Sequence, residues 1–180
     1  MKNTTSREAI IVLPDCSGFT EFVYKTKMYT GQYIVRELLT ELIQSSNSSF
    51  CISEIENHPI LFFKYDKRPS YKKTMESLLD MLKAFESKIS ILSASLNIKI
   101  EFSLKLMVHY GAFTKYQLKN YSKLYGSTIV EAHKLLKNKY AEHPCCILLS
   151  NSFLKSSQTP MSEITANSKV FPEIGAILYI

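Results

Sequence analysis

Between Ser70 and Leu96, Met75, Leu78, Leu79, Leu82, Phe85, Ile89, Leu92 and Leu96 recur at intervals of three and four. This spacing predicts one long helix with a continuous apolar stripe. Such a stripe is stable in water only when a second layer covers it, and the flanking sequence offers strands for that layer. Glu8–Pro14, Phe50–Glu56, Ile60–Tyr65, Ile98–Phe113, Cys145–Leu149 and Ala176–Ile180 are short apolar or alternating runs rich in β-branched and aromatic residues. A second helix is predicted over Phe19–Gln44, interrupted by Gly31 and ended by the polar Ser45–Ser49, and a third, shorter one over Ile129–Leu136. Asn57-His58-Pro59 between two of the runs reads as a tight hairpin, and Ser150–Lys169 as polar and turn-rich.

The predicted order is β-α-β-β-α-β-α-β-β. Its first six elements are those of a ferredoxin-like core, an antiparallel sheet with helices on one face, extended here by a third helix and further strands into an α+β domain. No internal repeat or linker divides the chain, so 1–180 is expected to be a single domain. That fold hosts many activities, so element order leaves the role open.

Composition removes several function classes. No apolar run approaches the ~20 residues of a membrane span, and a basic flank with an apolar signal core is missing from the first residues. A soluble, cytoplasmic protein is expected. Cys16, Cys51, Cys145 and Cys146 lack metal-knuckle spacing and are expected to be free thiols. The net charge of +6 has its densest source in Lys64, Lys67, Arg68, Lys72 and Lys73, without the interleaved aromatics of an RNA platform. A solvated helix start accounts for that cluster, and no nucleic-acid partner is expected.

The chemistry starts at "IIVLPDCSGFT", Ile10–Thr20, where an apolar strand ends near Asp15 and a glycine-containing turn leads into a helix. One reading makes Asp15 a metal ligand, with phosphate held over the backbone N–H groups of Cys16, Ser17, Gly18, Phe19 and Thr20. The other makes it the N-cap of the helix. Aspartate otherwise occurs only at 66 and 80, so partner carboxylates are scarce.

"DCSGFT", the hairpin at His58, "VHYGAF" at 108–113 and "YGSTIVEAHKLL" at 125–136 occur in an order and spacing that resemble the class III adenylate/guanylate cyclase domain over most of the chain. "LPDCSGFTEFV", "SEIENHPILFF" and "KLYGSTIVEAHKLLKN" are more similar still to an uncharacterised group of bacterial cyclase-like proteins of unknown function. The resemblance implies a nucleotide site in which carboxylates at two strand tips hold Mg or Mn over a triphosphate. It also implies a head-to-tail dimer, with metal ligands from one domain and ribose and transition-state residues from the other.

Only half of that pattern is kept. The second metal carboxylate falls on His58, preceded by Asn57, and imidazole is a poor ligand for magnesium. The ribose-orienting Asn falls on Val130 and the transition-state Arg on Lys134, which replaces a two-pronged fork by a point charge. The base-selecting positions fall on Glu54 and Lys123, a pair able to neutralise each other. His58 reads as a turn residue or as a transition-metal ligand beside Asp15, Glu56 as a substitute carboxylate, and His109, inside a strand, as structural.

The implied function is a degenerate, non-catalytic cyclase-like domain with a binding or regulatory role through a homodimer, or through a heterodimer with another cyclase-like chain. The alternatives are a weakly active nucleotidyl cyclase with nonstandard ligands, and a nucleotide or phosphate sensor without turnover.

Overall fold

The structure, a computed structural model, describes residues 5–46, 50–55, 58–119, 121–137, 146–165 and 168–179. Among the described residues, eight strands form one sheet in the order β2-β3-β1-β4-β6-β8-β7, with β5 added on β4. The strands are β1 (Arg7–Ser17), β2 (Cys51–Ile55), β3 (His58–Tyr65), β4 (Ser103–Leu118), β5 (Tyr121–Tyr125), β6 (Cys146–Ser150), β7 (Lys169–Phe171) and β8 (Gly175–Tyr179). All pairings are antiparallel except β4 with β6, so the expected antiparallel sheet contains one parallel step.

Strand alternation divides the core into two. Ile10 and Val12 of β1, with Leu104, Leu106, Val108 and Tyr110 of β4, face α1 (Phe19–Lys25), α2 (Met28–Ser45) and α3 (Tyr71–Leu96). Phe22, Ile34, Leu38, Leu42, Leu78, Leu82 and Phe85 from those helices fill this layer. On the other face, Ala9, Ile11, Leu13 and Met107 pack under Ala132 and Leu136 of α4 (Ser127–Leu136). Helices thus cover both faces rather than one, because α4 crosses to the side that the ferredoxin-like helices leave open.

Three element boundaries differ from expectation for local reasons. The helix predicted over Phe19–Gln44 is two helices: α1 closes with the Thr26 N–H donating to the Phe22 carbonyl at 3.0 Å, and Thr26 is extended (φ −110°, ψ 141°). Gly31 is buried inside α2 and is not the break. β1 runs to Ser17, paired with β4 as far as Ser17 opposite Ser103, so Asp15 lies in the strand and not beyond it. β4 begins five residues later than predicted, after Asn97 ends α3 in a left-handed cap (φ 50°), and it continues to Leu118.

The turn-rich 150–169 stretch holds two short helices, α5 (Asn151–Ser156) and α6 (Met161–Thr165). The Ser150 side chain caps α5 by accepting from the Phe153 N–H at 3.2 Å, and Pro160 precedes α6.

Candidate functional site

Asp15 sits near the C-terminal end of β1, with Lys105 as its cross-strand partner on β4. By alternation it shares the face of Ala9, Ile11 and Leu13, the α4 side of the sheet, while Cys16 turns toward the helical layer and packs against that core. Burial, then the neighbouring Asp15 carboxylate, pushes the Cys16 thiol up to about 12. It therefore stays protonated and is a poor nucleophile and metal ligand.

The turn that follows is shaped by Gly18. It is the N-cap residue of α1, left-handed at φ 86°, and no side chain caps the helix. The N-cap reading of Asp15 is therefore not met. A Cβ at Gly18 would run into the Glu101 carbonyl oxygen, so glycine is required by the chain's own packing as well as by the φ angle. Phe19 and Phe22 flank the turn and both contact Phe102, stacked at 6.3 Å and edge-on at 4.7 Å. Thr20 is exposed and Ser17 half-buried. Cys16–Thr20 thus forms one continuous strand-to-helix turn with Asp15 at its base.

β1 and β3 pair antiparallel from Ala9 opposite Tyr65 to Val12 opposite Phe62. Following both strands onward brings the β2–β3 hairpin to the Asp15 end of the sheet. His58 is the first residue of β3, paired with Ile55 across a register shift. Glu56 and Asn57 lie outside the described residues, as do the side chains of Glu54 and His58. Among the described residues, no group of three or more His, Cys, Asp or Glu side chains converges on a metal position. Glu54 lies on β2 and Lys123 on β5, two strands that touch each other.

α4 carries the two remaining positions. Val130 is 53% exposed and Lys134, one turn later, is also exposed, whereas Ala132 and Leu136 face the sheet. The side of α4 where the cyclase pattern has its Asn and Arg therefore points outward. The helix is seated by Thr128, whose hydroxyl donates to the Ala112 carbonyl at 2.7 Å. Its side chain lies so close to Gly111 that a Cβ there would come within 2.7 Å of Thr128 Oγ1.

His109, 4% exposed, ties α4 and α5 to β4. Its Nε2 lies 3.3 Å from Glu131 Oε2 and its Nδ1 3.1 Å from Ser152 Oγ, which is 2.9 Å from Ser150 Oγ. The Phe153 N–H donates to Ser150 Oγ. One arrangement of protons satisfies all four contacts: Ser150 donates to Ser152, Ser152 to Nδ1, and the Nε2–H to the carboxylate. The structural role read from the sequence is thus a neutral, Nε2-protonated histidine in a directed chain, which sequence spacing alone does not show.

Burial lowers the His109 pKa from 6.5, against an upward pull from Glu131. A depressed histidine pKa means the unfolded chain takes up a proton that the folded chain refuses, so stability falls as pH drops below about 6.5 and levels off below the folded pKa. Denaturant melts between pH 7.5 and 5 are expected to show this fall, and His109→Gln to flatten it relative to the parent chain. Identical pH slopes for the two proteins would refute the assignment.

A family model described as "Protein of unknown function (DUF2652)" matches residues 35–144. No curated protein matches the sequence. Among solved structures, the adenylyl cyclase CyaB from P. aeruginosa superposes with a TM-score of 0.68 at 15% identity, covering 96% of this chain and 93% of that one. A dimeric guanylyl cyclase domain of the RhoGC fusion protein from the aquatic fungus Blastocladiella emersonii superposes at 0.71 with 12% identity, covering 98% of each chain. A class III adenylyl cyclase-like ATP-binding protein from Pseudomonas aeruginosa gives 0.64 at 15% identity over 84% of this chain and 35% of that one. These likenesses establish the fold expected from the three sequence motifs. The chain belongs to the family described as protein of unknown function (DUF2652), and its fold is that of class III nucleotidyl cyclase domains.

Proposed function

We propose that this protein is a degenerate, non-catalytic class III cyclase-like domain that works in the cytoplasm by binding and dimerisation. The observation that carries the reading is the outward side of α4, which presents Val130 and Lys134 where the cyclase pattern has its Asn and Arg. Valine offers no hydrogen bond to a ribose, and lysine places one compact charge where a fork would hold two phosphoryl oxygens. Asp15 and the Cys16–Thr20 turn keep the other half of the pattern. They support a retained affinity for a nucleotide or phosphate, with Mg or Mn accompanying it through Asp15. The fold neighbour described as an ATP-binding cyclase-like protein is in keeping with binding.

Purified protein given ATP or GTP with Mg²⁺ or Mn²⁺ is expected to form no cyclic nucleotide. Cyclic AMP or cyclic GMP formation that Asp15→Ala abolishes would instead establish the weakly active cyclase.

The division between a kept Asp15 and an altered α4 also supports a second reading, which would replace the non-catalytic one: a catalytic share in a heterodimer. In a head-to-tail homodimer both composite sites have the same losses, whereas a heterodimer would set Asp15 opposite an intact Asn and Arg from another cyclase-like chain. Activity that arises only on mixing two such chains would assign this protein the metal-holding role.

A further inference from the structure

The basic cluster singled out in the sequence lies at the opposite end of β1 from Asp15, where the Asp66 N–H donates to the Glu8 carbonyl. Lys25, Lys88 and Lys99 each form an ion pair, with Glu21, Glu41 and Glu101. Lys67, Arg68, Lys72 and Lys73, all exposed, form none among the described residues. Four unmatched cations in seven residues repel one another, a cost that an anion would remove. The segment bearing them is held in place. The Arg68 N–H donates to Asp66 Oδ1 at 3.0 Å, Pro69 is buried, and the Ser70 side chain accepts from the Lys73 N–H.

The chain leaving α5 runs beside this segment, and the two border an open, shallow cleft of about 420 Å³, with Arg68, Tyr71 and Lys72 on one side and Ser156, Gln158 and Glu163 on the other. That volume is in the range of small-molecule sites. The hydroxyl of half-buried Tyr71 is pushed up by burial and then by Glu163, so it remains a donor. Ser157 and Thr159 are committed to each other and to the Leu154 carbonyl. The donors left for a ligand are therefore the Arg68 guanidinium, the Lys72 ammonium, the Tyr71 hydroxyl, Ser156 and the Gln158 amide. Glu163 supplies one acceptor of opposite charge on the far wall.

We infer that this cleft is a second ligand site, which takes a small phosphate monoester with its phosphate on Arg68 and Lys72 and a hydrogen-bond donor, such as an ammonium group, toward Glu163. Arginine is suited to grip two phosphate oxygens at once. The Glu163 carboxylate across the cleft suits a small molecule that carries both charges and repels a polyanionic membrane surface or nucleic acid.

O-phosphoethanolamine and inorganic phosphate are the probes, titrated by calorimetry into the full chain. Arg68→Ala and Lys72→Ala are each expected to weaken both probes about tenfold, as loss of a charged hydrogen bond implies. Glu163→Gln should weaken phosphoethanolamine alone. Both substituted cations are exposed, so unchanged melting temperatures would show that the fold survives. Equal binding by the parent and the Arg68 and Lys72 variants would overturn the site. So would binding of anionic vesicles or of nucleic acid through Arg68 and Lys72 when neither phosphate probe binds.

Discussion

Restoring the lost cyclase positions one at a time is expected to yield nothing: His58→Asp, Val130→Asn and Lys134→Arg, made singly, produce no detectable cyclic nucleotide. The triple variant is expected to exceed any of the singles by about 10⁴-fold or more. The reason lies in how the losses combine. A preorganised contact to developing charge is worth roughly 10²–10³ in rate, so repairing one of three leaves the barrier raised by the other two. The outward placement of Val130 and Lys134 bears on the assay: in the proposed head-to-tail dimer the repaired side chains would act across the interface, so the rate should rise with protein concentration. A triple variant that is dimeric, folded and still inactive would mean that the Asp15 half of the site is also lost.

Gly18→Ala is expected to cost about 2–5 kcal/mol. Forcing a Cβ into the left-handed region costs about 1–2 kcal/mol, and overfilling a packed contact typically adds 1–3 kcal/mol. The clash here is with the Glu101 backbone carbonyl, which cannot rotate away as a side chain would. For a chain of this length the melting temperature should fall by about 4–20 °C. This loss should be present without any nucleotide or phosphate. A glycine kept only for ligand approach would give normal stability and a defect confined to binding, so a melting temperature equal to the parent's would reverse the assignment.

Much of this architecture was legible because periodicity is a physical demand and not a label. The stripe from Met75 to Leu96 had to become a buried helix, and α3 covers Tyr71–Leu96. The motifs around Asp15, His58 and Tyr125 anticipated the cyclase fold because they mark strand tips and turns whose spacing the sheet fixes. What failed lay in the connections. The split at Thr26 leaves the apolar spacing almost unchanged, so periodicity joined α1 to α2. β5 has no sequence signal of its own because its run of five residues is half polar; only the structure shows its ladder, from Thr114 opposite Tyr125 to Leu118 opposite Tyr121. The chain through Ser150, Ser152, His109 and Glu131 joins residues up to 43 positions apart on four elements. No local pattern announces such a contact. At Gly18 the turn is readable from the sequence but its packing cause is not, since the Glu101 carbonyl that stands where a Cβ would go is 83 positions away.

β4 belongs to two structures at once. Its first part is paired with β1 and β6 in the core of the sheet, and its last five residues, Thr114–Leu118, pair among the described residues with β5 alone. Because side chains alternate along a strand with a period of two, the two parts share a single phase. Insertion or loss of one residue at the junction after Phe113 would turn the whole hairpin over, exchanging the side chains it shows to either side while the sheet behind it stayed intact. Two residues would only lengthen or shorten it. Length variation in this arm among related chains is therefore constrained by parity, with even steps compatible with a conserved contact face and odd steps marking chains in which that face has been given up.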